Sequence, residues 1–187
     1  MYENYKKFLD EFDKKLSSLF ENQKNYIYCK KGCSYCCENG DYPFSQIEFG
    51  YITQGFLALP EKTKLLVQQN IKKLKKEKKY FNGEIFEHKC PFLINNECCV
   101  YAYRGIICRT FGLGYYDDET GYVRLPDCVN KNLNYSQYYD EKTKQLTIEN
   151  VLQENLRIDS IFDSELSKKY NIECGEIRSM LNWFEQK

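Results

Sequence analysis

Cys29-Lys30-Lys31-Gly32-Cys33-Ser34-Tyr35-Cys36-Cys37 governs how the rest of the chain is read. Its four thiols have the spacing C-x3-C-x2-C-C. They stand in a polar stretch that contains Gly32 and runs on to Asn39-Gly40, which marks a loop. A tight turn with cysteines three or four residues apart brings both sulfurs round to one side, where one ion can take both. The adjacent Cys36 and Cys37 tend to point apart, which leaves two arrangements open: they serve different centres, or one bridges.

Working outward, thiols recur in Cys90-Pro91-Phe92-Leu93, Cys98-Cys99-Val100-Tyr101, Cys108-Arg109-Thr110-Phe111 and Pro126-Asp127-Cys128, with Cys174 alone. Ten cysteines stand against one histidine, which excludes sites built on several histidines and tells against His-rich catalysis. The stretch Met1–Lys7 lacks the apolar core of an export signal, so a cytoplasmic, reducing setting is expected. There, clustered thiols bind metal more often than they form disulfides.

The expected thiolate ligands are Cys29, Cys33, Cys36, Cys37, Cys90, Cys98, Cys108 and Cys128. They would suffice for two four-ligand sites, or for one iron–sulfur cluster plus one zinc ion. Spacing does not separate zinc from iron. Cys99 and Cys174 are expected to be structural thiols. His88 is expected at the polar surface or supporting a ligand rather than binding metal itself. Four thiolates around zinc carry a net charge of about −2. Arg104 and Arg109 bracket Cys108 and could offset it; the alternative for each is an ordinary ion pair with Asp or Glu.

Composition narrows the partners. Lys plus Arg and Asp plus Glu number 27 each, so no basic excess points to nucleic acid. No apolar run approaches the ~18 residues a membrane helix needs. Metal ions are therefore the expected partners, with no nucleic acid and no membrane; a protein partner stays unassigned. Hydrophobic residues make up 42% of the 187, including 17 Tyr and 12 Phe, enough to bury a core.

The pattern predicts a mainly α (α+β) single domain over 1–187. A loop-rich, cysteine-lined metal core spans 29–130, and helices flank it within 1–28 and 146–187. Apolar spacing at Tyr5, Phe8, Leu9, Phe12, Leu16, Leu19 and Phe20 predicts an amphipathic helix over 3–20. Ser45 with Glu48 reads as a capping box that starts a helix of about 12 residues at Gln46, with Phe44 and Phe49 as a hydrophobic staple. Pro60 opens a helix to about Tyr80, stopped by Asn82-Gly83. Its lysines 72, 73, 75, 76, 78 and 79 read as a solvated face. Leu113–Tyr116 and Tyr122–Leu125 predict a hairpin. Residues 130–144 read as a connecting loop, 147–170 as a helix capped by Thr147, and 174–186 as a last helix.

Together, Cys29-x3-Cys33-x2-Cys36-Cys37, Cys90-Pro91-Phe92-Leu93, Cys98-x-Val100-Tyr101-x-x-Arg104 and Cys108-Arg109-x-Phe111 resemble the bacterial cysteine-cluster family described as a zinc- or iron-chelating domain. The resemblance covers roughly residues 29–130 and implies metal binding. Cys128 stands where that family often has a further cysteine. Arg104-Gly105 replaces the family's usual Arg-Pro, which loosens a turn and removes no thiol. A larger relative, the flagellin lysine N-methylase, implies an alternative: an iron–sulfur-dependent methyltransferase or redox enzyme using S-adenosylmethionine. This chain is much shorter and has no G-x-G-x-x-G loop, so whether it is an enzyme stays open.

Overall fold

The computed structural model describes residues 2–30, 32–84, 86–143, 145–148 and 154–185. The chain is mainly helical with small antiparallel hairpins, as the sequence predicts. In order, the elements are α1 (Glu3–Gln23), α2 (Tyr35–Glu38), β1 (Pro43–Ser45), α3 (Gln46–Leu57), α4 (Glu61–Lys79), β2 (Leu93–Ile94) and β3 (Glu97–Cys98). Then come α5 (Ile106–Thr110), β4 (Tyr115–Asp117), β5 (Tyr122–Arg124), β6 (Tyr139–Asp140), β7 (Gln145–Leu146), α6 (Ile158–Phe162), α7 (Glu165–Lys169), β8 (Ile177–Ser179) and α8 (Met180–Phe184). They form two compact units: Met1–Lys31 with Arg109–Glu173, and Gly32–Cys108 with Cys174–Lys187. Among the described residues no helix is long and apolar enough to cross a membrane.

In the first unit α1 buries Tyr5, Phe8, Leu9, Phe12 and Leu16 along one stripe. The Phe8 ring stacks on Phe12 at 5.8 Å and on Phe162 at 6.3 Å. The helix outruns its predicted end because Gln23 is held in place. Its Nε2 donates to the Gly114 carbonyl at 3.2 Å, and its Oε1 accepts from Gly114 N–H at 3.1 Å. The hairpin β4–β5 forms as expected, with Tyr116 opposite Val123. Asp117 accepts from Glu119 N–H at 3.1 Å, and Gly121 supplies the positive φ that closes the turn.

Two expectations for this unit are corrected. Residues 130–144 are no plain loop: β6 pairs with β7, placing Tyr139 opposite Leu146. Two-residue strands are too short to leave an alternating pattern in sequence. Thr147 N–H and Oγ1 both donate to the Tyr138 carbonyl, which extends that hairpin. Of the predicted 147–170 helix, residues 149–153 lie outside the described residues, and the remainder holds two short helices. Ser164 separates them, its Oγ accepting from Ser167 N–H at 3.3 Å to start α7.

The second unit is organised by β1 pairing antiparallel with β8. Each strand ends in a serine that caps the following helix. Ser45 and Glu48 form both halves of the predicted capping box, and α3 starts at Gln46. Ser179 accepts from Asn182 N–H to start α8. The predicted 174–186 helix is thereby corrected: residues 177–179 are strand, because β1 offers their backbone a ladder. Trp183 Nε1 donates to the Phe44 carbonyl at 2.8 Å over a core of Phe44, Ile52, Val67, Phe92, Val100, Met180 and Trp183. The lysine-rich end of α4 is not wholly solvated, since Lys75 donates to the Phe184 carbonyl and Lys78 to Asn182 Oδ1.

Candidate functional site

The eight expected ligands divide between the units. Cys37, Cys90, Cys98 and Cys108 lie in the second, with Cys33 and Cys36, while Cys29 and Cys128 lie in the first. No disulfide joins any of the ten cysteines, all of which are described.

In the second unit, local backbone structure draws four thiols toward one another. The first cluster is not loop throughout, because residues 35–38 close one helical turn, α2. Beyond it Cys90 N–H donates to the Cys37 carbonyl at 2.6 Å and Gly40 N–H to the His88 carbonyl at 3.2 Å, which zips the two segments together. Leu93 N–H returns to the Cys90 carbonyl at 3.0 Å, and β2 then pairs with β3 so that Cys98 stands opposite Leu93. The turn between these strands is Asn95-Asn96, both at positive φ, as a tight two-residue hairpin requires. That pair of asparagines was a legible hairpin signal. Cys108 comes from α5. Cys90, Cys98 and Cys108 all pack against the hydrophobic core of this unit.

The electrostatics of the four differ from those of isolated thiols. Burial pushes the Cys90 thiol up, and the charges of Cys108, Cys37 and Cys98 push further in the same direction. Burial raises Cys98 to about 11, helped by the charges of Cys37 and Cys99 and opposed by Arg104. Cys108 is raised by burial and by Cys37 and Cys98, again opposed by Arg104. Cys37 alone is lowered, to about 7: the Cys36 thiol 4.0 Å away hydrogen-bonds it, burial opposes, and Arg104 adds to the lowering. Cys90, Cys98 and Cys108 are thus each close enough to feel the charge of Cys37. Among the described residues, however, no three Cys, His, Asp or Glu side chains are arranged closely enough to hold a metal ion.

Arg104 faces this group. Its guanidinium lies 3.5 Å from the centre of the Tyr101 ring, and its Nη1 donates to the Cys108 carbonyl at 3.3 Å. Arg109 makes an ion pair, its Nη1 lying 2.5 Å from Asp13 Oδ2 in the first unit. His88 is not at the surface. It is 7% exposed, with Nδ1 3.0 Å from the Lys89 carbonyl and Nε2 3.4 Å from Asp41 Oδ1. Burial pulls its pKa down, but Asp41 and the Lys89 carbonyl outweigh that and leave it raised. A groove of about 410 Å³ runs beside this segment, lined by Leu74, Glu77, Phe86, His88, Cys90 and Leu93.

The sulfurs of the first unit have a different setting. Asn134, fully buried, donates from Nδ2 to Cys29 Sγ at 3.1 Å and to the Gly112 carbonyl at 2.8 Å, and its Oδ1 accepts from Tyr28 N–H at 2.8 Å. A Cβ on Gly112, at φ +103°, would lie 3.0 Å from Cys29 Sγ. Burial raises the Tyr135 hydroxyl, Gly114 N–H opposes, and the charges of Cys29 and Cys128 raise it further. Nothing in the sequence pointed to Asn134 or Tyr135. Of the two thiols expected to be structural, Cys99 has its N–H bonded to the Phe92 carbonyl at 2.9 Å, and the Cys174 thiol donates to the Gly175 carbonyl at 3.3 Å. No family model, curated protein or solved structure matches this chain.

Proposed function

We propose that the chain is a metal-binding protein of a reducing, cytoplasmic compartment. It holds zinc or an iron–sulfur cluster through Cys37, Cys90, Cys98 and Cys108. The supporting observation is that four thiols from four separate stretches come close enough that the charge of Cys37 adds to the cost of ionising Cys90, Cys98 and Cys108, which burial already raises. A thiophilic cation reverses that cost, because it turns mutual repulsion into shared attraction. Donor chemistry therefore fits a soft or borderline ion: sulfur donors, an arginine as counter-charge, and an apolar backing that limits water. Binding would draw the sulfurs closer than they stand and couple metal uptake to the order of residues 84–108. Cys33 and Cys36 are further donors in the same unit for a second ion. Cys29 and Cys128 are too few to close a four-sulfur site from their own unit.

Elemental analysis of protein prepared without oxygen tests this. The expected result is about one zinc per chain, or iron with sulfide and absorbance near ~400 nm. Serine at Cys37, Cys90, Cys98 or Cys108 is expected to lower that content, whereas serine at Cys99 or Cys174 leaves it unchanged. A folded sample with neither zinc nor iron that takes up neither when offered overturns the reading.

A further inference from the structure

Glu48 is half of the capping box that starts α3, yet its carboxylate does more than cap that helix. It is fully buried. Oε2 accepts from both the Ser45 N–H and the Ser45 hydroxyl at 2.7 Å. Oε1 accepts from Ile106 N–H at 2.6 Å, fifty-eight residues further along the chain. Ile106 is the first residue of α5, two before Cys108. Gly105 presses on the same oxygen: a Cβ there would lie 2.7 Å from Glu48 Oε1 and 2.7 Å from the Phe44 ring. The backbone carrying Cys108 is thus docked on one buried carboxylate, while Arg104 Nη1 donates to the Cys108 carbonyl.

We infer that Glu48 is a positioning residue for the thiol centre, acting through Ile106 N–H to set where the Cys108 sulfur stands. This rests on the metal-binding reading above. A carboxylate suits the role because it presents an acceptor oxygen to each side at once. An amide would turn its NH2 toward either Ser45 or Ile106 and oppose donor to donor. Glycine at 105 follows from the same arrangement, since any side chain would wedge the carboxylate off Ile106. The charge of Glu48 also reaches Cys108, so the residue acts on that thiol by position and by field.

Cobalt(II) titration of the full chain under reducing, oxygen-free conditions tests the inference, reading the thiolate charge-transfer and d–d bands. Unaltered protein and Ser45→Ala, which removes the cap and spares the Ile106 contact, are expected to bind within about twofold of each other with the same bands. Glu48→Gln and Gly105→Ala are expected to bind at least about tenfold more weakly, with bands shifted toward those of Cys108→Ser. Unchanged bands and affinity in both Glu48→Gln and Gly105→Ala overturn the inference, as does a Ser45→Ala loss equal to that of Glu48→Gln. Should neither variant fold, amide exchange in the unaltered chain decides. The Ile106 N–H slows on zinc addition if Glu48 couples to the site, and an unchanged rate overturns the coupling. If the unaltered chain binds no cobalt, the metal-binding reading itself falls; if it binds and Cys108→Ser binds equally well, only this inference falls.

Discussion

The two units of this chain handle sulfur in opposite ways. In the first, Cys29 is solvent-exposed and its sulfur accepts a hydrogen bond from a buried asparagine amide. In the second, Cys90, Cys98 and Cys108 back onto a hydrophobic core, and each resists ionisation because of burial and of the charge of Cys37. A sulfur served by an N–H donor already has its negative form stabilised. A buried group of mutually repelling thiols has a use for a cation. The contrast teaches that cysteine count says little by itself; what surrounds each sulfur decides which of them gain from metal.

The largest effect that can break this comparison comes from Asn134. Replacement by alanine leaves the Gly112 carbonyl buried without its partner, removes the acceptor of Tyr28 N–H and withdraws the donor to Cys29. Urea unfolding should show a loss of about 2–4 kcal/mol. Zinc or iron content should nevertheless hold steady, because Cys37, Cys90, Cys98 and Cys108 lie in the other unit. Metal lost in proportion to stability would show that the two sulfur settings act as one.

Asn134 also marks the boundary of what the sequence makes legible. Helix α1, the capped start of α3, the extent of α4 and the β4–β5 hairpin were readable, since each carries its own signal: a 3.6-residue apolar period, a Ser-x-x-Glu box, Pro60 and Asn82-Gly83, or a polar turn ending in Gly121. The thiols were readable as a set. Their partition was not, because it depends on contacts between distant stretches, such as Cys90 N–H on the Cys37 carbonyl. Residues 177–179 looked helical, since Ile177, Met180, Leu181 and Phe184 keep a helical spacing through a strand that only β1 makes favourable. Tyr135, buried and at φ +63°, gives no local sign that it sits in the left-handed region.

A smaller effect sharpens the comparison through pH. In the second unit His88 has its pKa raised, burial opposing and Asp41 with the Lys89 carbonyl prevailing, while the charge of Lys78 opposes. Its contribution to stability is full below the imidazole's unfolded value of about 6.5 and is lost as pH rises through the higher folded value. For Asp41 burial opposes the lowering, but His88, Ser179 and Leu181 N–H prevail. Its contribution is present above the unfolded value of about 3.9 and is lost as pH falls through the lower folded value. The pair therefore stabilises most between about pH 4 and 6.5. His88→Gln should flatten the unfolding free energy across neutral pH by less than about 1 kcal/mol. An unaltered slope would show that the segment leading into Cys90 is held by its backbone bonds alone.

The remaining comparison concerns two neighbours. Cys98 and Cys99 differ by one position, and adjacent residues of an extended chain point to opposite sides. Cys98 lies in β3 and feels the charge of Cys37, whereas Cys99 is raised by burial with its own backbone opposing. Cys98→Ser should therefore cost metal affinity at least about tenfold, and Cys99→Ser should change it less than about twofold. If the two serines at 98 and 99 weakened binding equally, the strand's alternation would not be selecting the ligand, and the assignment of Cys98 rather than Cys99 to the site would have to be redrawn.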